Sequence, residues 1–207
     1  EGMFHVKHEG WARAAAAIGS PLSDTELRRL GAYEALLVER GGPMGLVAPK
    51  DLPRIRERHI LDSLRAAALV GLEAASGYDL GSGGGLPGIV LAIARPQLSL
   101  TLVEVRRNRA AFLQEAVREL DLVNVEVYGR RAETLRERRD LCLARAFAPF
   151  PKACAAASPL LARGGRLIYW AGASFDASSD VPSGVIIQMH LASGLPGAGA
   201  LVEATFS

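Results

Sequence analysis

The chain has 207 residues, of which 49% are hydrophobic and 22% charged, with a formal net charge of +2. A chain of this size buries on the order of 70% of its unfolded surface, so one ordinary domain, with or without an extension, needs no disulfide or metal staple, and the composition excludes a largely disordered polymer. No run of about 18 uncharged apolar residues is present to form a membrane-spanning helix, and the first residues lack a charged segment followed by an apolar run, so no secretory signal is expected.

Residues 10–72 read as helical. Ser23 is placed to cap a helix, with Glu26 three residues on. Leu27, Leu30, Tyr33, Leu36 and Leu37 then recur at helical spacing until Gly41-Gly42-Pro43 stops them. Asp51-Leu52-Pro53 opens another helix, with proline tolerated in its first turn and Leu61, Leu64, Ala68 and Leu72 as its stripe. From Gly77 onward short apolar strands alternate with helices. A strand ends at 78–80 and a glycine-rich turn follows. Then come a helix at 86–95, a strand at 98–103, a helix at 106–120, a strand at 123–128, a short helix at 132–138 and a strand at 141–144. A helix at 151–161, ended by Gly164-Gly165, precedes a strand at 166–170, and strands at 185–191 and 201–206 pair as a hairpin-like end. This alternation requires a mainly parallel α/β sheet covered on both faces, with right-handed crossovers. Its ligand belongs outside the carboxyl ends of the strands, at the switch point. The expected division is a helical extension at 1–72 and a ligand-binding domain at 73–207.

The segment Asp79-Leu80-Gly81-Ser82-Gly83-Gly84-Gly85-Leu86-Pro87-Gly88 is the most informative. Glycines between a strand and a helix let backbone approach a ligand where a Cβ would clash. Gly83, Gly85 and Gly88 spell the dinucleotide pattern, but too late in the turn. Counted from Gly81, the third glycine is replaced by Leu86, and Pro87 removes a helix-start amide that a pyrophosphate would use. S-adenosylmethionine has no pyrophosphate. Its ammonium needs an acceptor, which Asp79 can supply directly or through water. Its ribose hydroxyls suit a carboxylate, and Glu104 ends the second strand. Asp79, Gly81, Ser82, Gly83 and Glu104 are therefore cofactor candidates. Asp79 also reads as a turn cap and Glu104 as a surface acid. An amide at Ala132-Glu133 would lie over the adenine side of the crevice, or simply begin a helix with a favourable first-turn acid.

Apart from Lys7, Lys50 and Lys152 the positive charge is arginine, clustered at Arg54, Arg56 and Arg58, at Arg106, Arg107 and Arg109, at Arg130 and Arg131, and at Arg136, Arg138 and Arg139. Arginine pairs bidentately with phosphate and stacks on bases. Solvated helix faces are the plain alternative. Cys142 and Cys154 stand among small apolar neighbours, as buried thiols of a reducing, cytoplasmic compartment would. His5-x-x-His8 is the only close histidine pair, too little for a metal centre, so no metal is expected.

Four segments, His59-Ile60-Leu61-Asp62-Ser63-Leu64, Asp79–Gly88, Arg131-Ala132-Glu133 and Ala144-Arg145-Ala146-Phe147, resemble in order and spacing the bacterial small-subunit ribosomal RNA (guanine-N7) methyltransferases, the glucose-inhibited division protein B family. The resemblance runs over about residues 3–172. It implies a Rossmann-like, class I S-adenosylmethionine-dependent methyltransferase fold with seven mostly parallel strands behind an N-terminal helical extension. It also implies S-adenosyl-L-methionine as donor, S-adenosyl-L-homocysteine as product, and a guanosine in a loop of 16S rRNA in the small ribosomal subunit as acceptor. Motif matching carries cofactor or active-site contacts onto Gly81, Leu86, Ala132, Glu133 and Arg145, with Arg145 as the catalytic candidate. Gly45, Val47 and Ala171 stand where the family usually has other residues.

The chemistry agrees. The turn Ala144–Phe147 lacks the amine-hydrogen acceptors that exocyclic amine methylation uses, and neither cysteine has an adjacent base to make it a nucleophile. Guanine N7 has a lone pair and no proton, so it needs no general base. Arginine often grips guanine through O6 and N7, so Arg145 should contact O6, phosphate or the cofactor carboxylate, or else form a structural ion pair. His59, Asp62 and Ser63 share one side of a helix, as a network pinning the extension or as site lining. Phe147 is either a base-stacking or a core residue, while Trp11 and Trp170 read as packing. Arg54, Arg58, Arg106, Arg107, Arg109 and Arg131 are the RNA-binding candidates, the clusters at 54–58 and 106–109 being expected to lack acidic partners. A monomer acting on 16S rRNA or the small subunit, without a membrane, is the expected state. A small-molecule methyltransferase of the same fold and a non-catalytic RNA- or ribosome-binding relic with a retained cofactor pocket are the alternatives.

Overall fold

The computed structural model describes residues 2–71, 74–192, 195 and 197–206, with the backbone alone for 2–9. Leu72 of the predicted stripe and the side chains of His5 and His8 therefore lie outside the described residues.

Two helices begin the chain, α1 (Gly2–Ala17) and α2 (Asp24–Leu36). Ser23 caps α2 in a reciprocal box with Glu26, as its sequence predicts, and Leu27, Leu30, Tyr33 and Leu36 are buried. The second predicted helix is irregular. A 3-10 segment (Pro49–Arg54) passes into a π segment (Arg56–Leu61), a single α turn, α3 (Asp62–Leu64), and a further 3-10 turn (Arg65–Ala68).

The sheet follows: β1 (Ser76–Leu80), β2 (Ser99–Val103), β3 (Val125–Tyr128), β4 (Arg139–Ala144), β5 (Leu161–Trp170), β6 (Val185–His190) and β7 (Leu201–Phe206). Its order is β3-β2-β1-β4-β5-β7-β6, with β7 antiparallel to both β5 and β6. The chain leaves β1 toward β2 and β3, then returns to place β4 on the other flank of β1. That reversal is the switch point, where the loops leaving β1 and β4 diverge and open a crevice.

Side-chain alternation sorts the strand residues. Leu141 and Leu143 face one apolar cluster, Cys142 and Ala144 the other. The first cluster also contains α4 (Gly88–Ala94), the buried face of α5 (Arg107–Glu119), and Trp11, Leu27, Leu30 and Leu64 of the extension, so extension and sheet share a core. The second is covered by α6 (Phe150–Ala157). All seven residues of α4 are buried and none is polar. A helix apolar all round must be covered on its outer side too, and α2 and α3 pack there. Among the described residues no helix is long and apolar enough to cross a membrane.

Two predicted elements differ. The helix expected at 132–138 is only a 3-10 turn (Ala132–Thr134), after which Leu135 is extended. The Thr134 hydroxyl lies 2.6 Å from the Arg131 carbonyl and 2.9 Å from the Tyr128 hydroxyl, a local side-chain bond that competes with a longer helix. Gly164 and Gly165 do not end a helix. Helix α6 gives way to a 3-10 turn (Ser158–Leu160), and the glycines lie within β5, where its register against β4 shifts.

Candidate active site

Asp79 points from β1 toward the start of α4 and is completely buried. Its Oδ2 accepts the Gly88 N–H at 3.1 Å, while Oδ1 is buried without a hydrogen-bond partner among the described residues. Pro87 contributes no N–H and Asp79 takes the next one, so a carboxylate stands where a dinucleotide would need free amides. An ammonium would complete the orphaned oxygen. Burial pushes the Asp79 carboxyl up to about 7, opposed by the nearby Ser82 hydroxyl, then by the Gly88 hydrogen bond and by Arg145.

Glu104, also buried, folds back on the same turn. Its Oε2 accepts the Gly83 N–H at 3.0 Å and its Oε1 the Arg106 N–H at 2.8 Å. Each oxygen keeps a second lone pair for a hydroxyl donor. Ser82 donates to the Asp79 carbonyl and so braces the turn from within. Leu86 is buried beside it. Gly81 has φ +70°, and a Cβ there would come within 2.7 Å of Phe147, so the loops leaving β1 and β4 touch at the switch point. The Arg109 guanidinium reaches to 4.0 Å from the place a Gly83 Cβ would take. Ala132 and Glu133 sit past the end of β3, two strands from β1.

Arg145 follows β4 and is tied to the extension. Its Nη2 lies 3.0 Å from the Arg58 carbonyl, 2.9 Å from His59 Nδ1 and 3.4 Å from Asp62 Oδ2. Because arginine only donates, Nδ1 is the acceptor. His59 is neutral there, since burial and then the Arg145 charge hold its pKa below the usual value. His59 Nε2 faces Asp51 at 3.6 Å, too long for a hydrogen bond. Asp62 also takes Arg65 at 2.6 Å, and its carbonyl takes the Trp170 indole. His59 and Asp62 thus reach the end of β4, whereas Ser63 bonds the His59 carbonyl within its own turn.

The expectation that the arginines at 54–58 lack acidic partners is corrected: Arg56 pairs with Glu34 at 2.9 Å and stacks on Trp11, and Arg58 pairs with Asp51 at 3.2 Å. These acids come from α2 and from the helix's own start, where sequence proximity gives no hint of them. Arg54, Arg106, Arg107 and Arg131 are exposed and Arg109 half-buried. Both thiols are buried; Cys142 is pushed up to about 12 and Cys154 to about 11, which leaves no thiolate nucleophile. Tyr33 is a contributor that the stripe conceals. Its hydroxyl donates to the Gly84 carbonyl at 2.7 Å, tying α2 to the glycine turn. The one signal was a phenol among leucines. A groove of about 810 Å³ lies instead on the extension, between Trp11, Leu27, Val38 and Pro53, and the Arg56–Glu34 pair at its wall is self-satisfied.

Residues 26–180 match the family described as rRNA small subunit methyltransferase G. The chain belongs to that family. A relative from Thermobifida fusca (strain YX), named ribosomal RNA small subunit methyltransferase G, is 45% identical over 147 residues, covering 70% of this chain and 62% of the relative. One of the same name from Acidiphilium cryptum (strain JF-5) is 47% identical over 151 residues, covering 72% and 69%. This chain therefore spans somewhat less than two thirds of the first relative's length. The crystal structure of precorrin-6y C5,15-methyltransferase from Geobacter metallireducens GS-15 superposes with a TM-score of 0.55 at 12% identity, over 70% of this chain and 86% of that one, a likeness of fold alone.

Proposed function

We propose that this member of the family methylates guanine N7 in a loop of 16S rRNA, free or in the small ribosomal subunit, with S-adenosyl-L-methionine as donor. The observation that carries the cofactor reading is the buried Asp79, which blocks the start of α4 with one oxygen and holds the other without a partner. In this reading Asp79 receives the ammonium, Glu104 the ribose hydroxyls, and the backbone of Gly81, Ser82 and Gly83, with Leu86, lies along the cofactor. Ala132 and Glu133 border the adenine. When bound, S-adenosylmethionine supplies a methyl carbon already activated by its sulfonium. What remains for the protein is alignment.

N7 presents a lone pair and carries no proton, so no side chain has to remove one. That suits a site where, among the described residues, the histidine near the end of β4, His59, is occupied as an acceptor for Arg145. Arg145, held from the extension side, would offer its remaining N–H donors to O6, a phosphate or the cofactor carboxylate. Arg54, Arg58, Arg106, Arg107, Arg109 and Arg131 serve the RNA backbone, Arg58 while paired with Asp51. An unpaired loop is the fitting target, because its bases can be splayed out.

The test is to incubate small subunits from cells lacking the protein with the purified chain and labelled S-adenosylmethionine, then map the modified nucleotide. Label in 16S rRNA as 7-methylguanosine is the expected result. Cofactor binding without transfer to RNA would overturn it.

A further inference from the structure

The turn leaving β4 is anchored at both ends and open in the middle. Arg145 is held by the Arg58 carbonyl, His59 and Asp62, and the Ala148 carbonyl accepts the Tyr169 hydroxyl at 3.2 Å. Between them Ala146 stands at φ +52°, a conformation that costs a residue with a Cβ about 1 kcal/mol or more. The strain delivers Phe147, which keeps 36% of its surface exposed while one ring edge rests against Gly81. A buried ring would be worth more to stability than a half-open one. The left-handed alanine and the part-open ring stand together beside the glycine turn, and backbone strain of this kind collects where a ligand sets the geometry.

We infer that Phe147 is the platform on which the acceptor base stacks at the methyl-transfer site. The inference rests on the reading of the reaction given above and adds a residue to it. As the N7 lone pair forms the new bond to carbon, the carbon–sulfur bond of the donor breaks and its electron pair stays on sulfur. The purine gains one positive charge and no proton moves. An aromatic face attracts a cationic ring more than a neutral one, so the contact strengthens along the reaction and lowers the barrier rather than only tightening binding. The neighbouring Arg145 would repel that charge, but Asp62 stands 3.4 Å from it as counter-ion.

Phe147→Leu keeps apolar bulk beside Gly81 and removes the π face. Its turnover on small subunits is expected to fall at least about tenfold, with affinity for S-adenosylhomocysteine within about twofold and an unchanged unfolding midpoint, while Phe147→Tyr recovers most of the loss. Turnover of Phe147→Leu within about twofold of the parent, or a parallel loss of cofactor affinity, would overturn the inference. Phe147→Trp provides a readout besides activity. Its emission should be quenched by a single-stranded guanine-containing RNA beyond the response of the parent, whose Trp11 and Trp170 are buried. Quenching in a protein that transfers no methyl to rRNA would retain the platform and sink the proposed reaction. No added quenching would sink the platform itself.

Discussion

At the scale of single residues, Asp79 carries opposed demands. Its carboxyl, raised by burial to about 7, keeps a proton at pH values where the unfolded chain, with a carboxyl near 3.8, has lost it. Between those values the native state binds more protons than the unfolded state, so this group's stabilisation is complete below the lower value and declines as pH rises through about 7. Asp79→Asn removes that slope. The variant is expected to be at least as stable as the parent above neutral pH in denaturant titrations. It should also bind S-adenosylmethionine at least about tenfold more weakly, roughly 1.4 kcal/mol, by calorimetry. The parent's affinity should rise as pH passes upward through about 7, because the ammonium favours the ionised carboxyl, and the variant should lack that rise. The strand-end positions of Asp79, before the glycine turn, and of Glu104, after β2, were legible because each depends on a local pattern of neighbours. The partners of Arg145 were not, since Arg58 and His59 lie 87 and 86 residues away in the chain.

At the scale of elements, helix α4 depends on one missing side chain. A Cβ on Gly88 would overlap Leu102 and come within 2.6 Å of Asp79 Oδ2. It would wedge α4 away from β1 and β2 and stretch the Gly88–Asp79 hydrogen bond. Gly88→Ala is therefore expected to lower unfolding free energy by roughly 2–3 kcal/mol with an unchanged denaturant slope, and to weaken cofactor binding as well. The apolar run 89–94 was legible as an element, and its lack of any polar face signals cover on both sides. Which element supplies the cover was not, because α2 carries one apolar stripe that fits several faces and α3 is a single buried turn within an irregular segment. The hairpin-like end was read correctly as a pair. The insertion of β7 between β5 and β6 was not read, since two short apolar strands carry no order in their periodicity.

At the scale of the molecule, a net charge of +2 conceals an uneven surface. Arg106, Arg107 and Arg109 stand past β2 and Arg131 past β3, at the strand ends where the glycine turn and Glu104 also lie. Arg106 and Arg107 oppose the positive end of the α5 dipole, an arrangement unfavourable to the helix until phosphate arrives. Neutralising Arg106, Arg107 and Arg109 together should reduce the salt dependence of binding to a single-stranded target by about 2 in log–log slope, measured by titration at several salt concentrations. An unaltered slope would remove this edge from the interface. Arg56 takes no part in this, since Glu34 already holds it.

By itself the amino-acid order determined the alternation of strands and helices, the glycine turn and the two acids at the strand ends, because each depends on neighbours within a few residues. Tertiary structure decided which charges are neutralised, which phenol and histidine brace the site, and which ring stays open at its mouth. Those outcomes depend on side chains brought together across dozens of residues, and a polar or aromatic group has many acceptable partners until packing selects one.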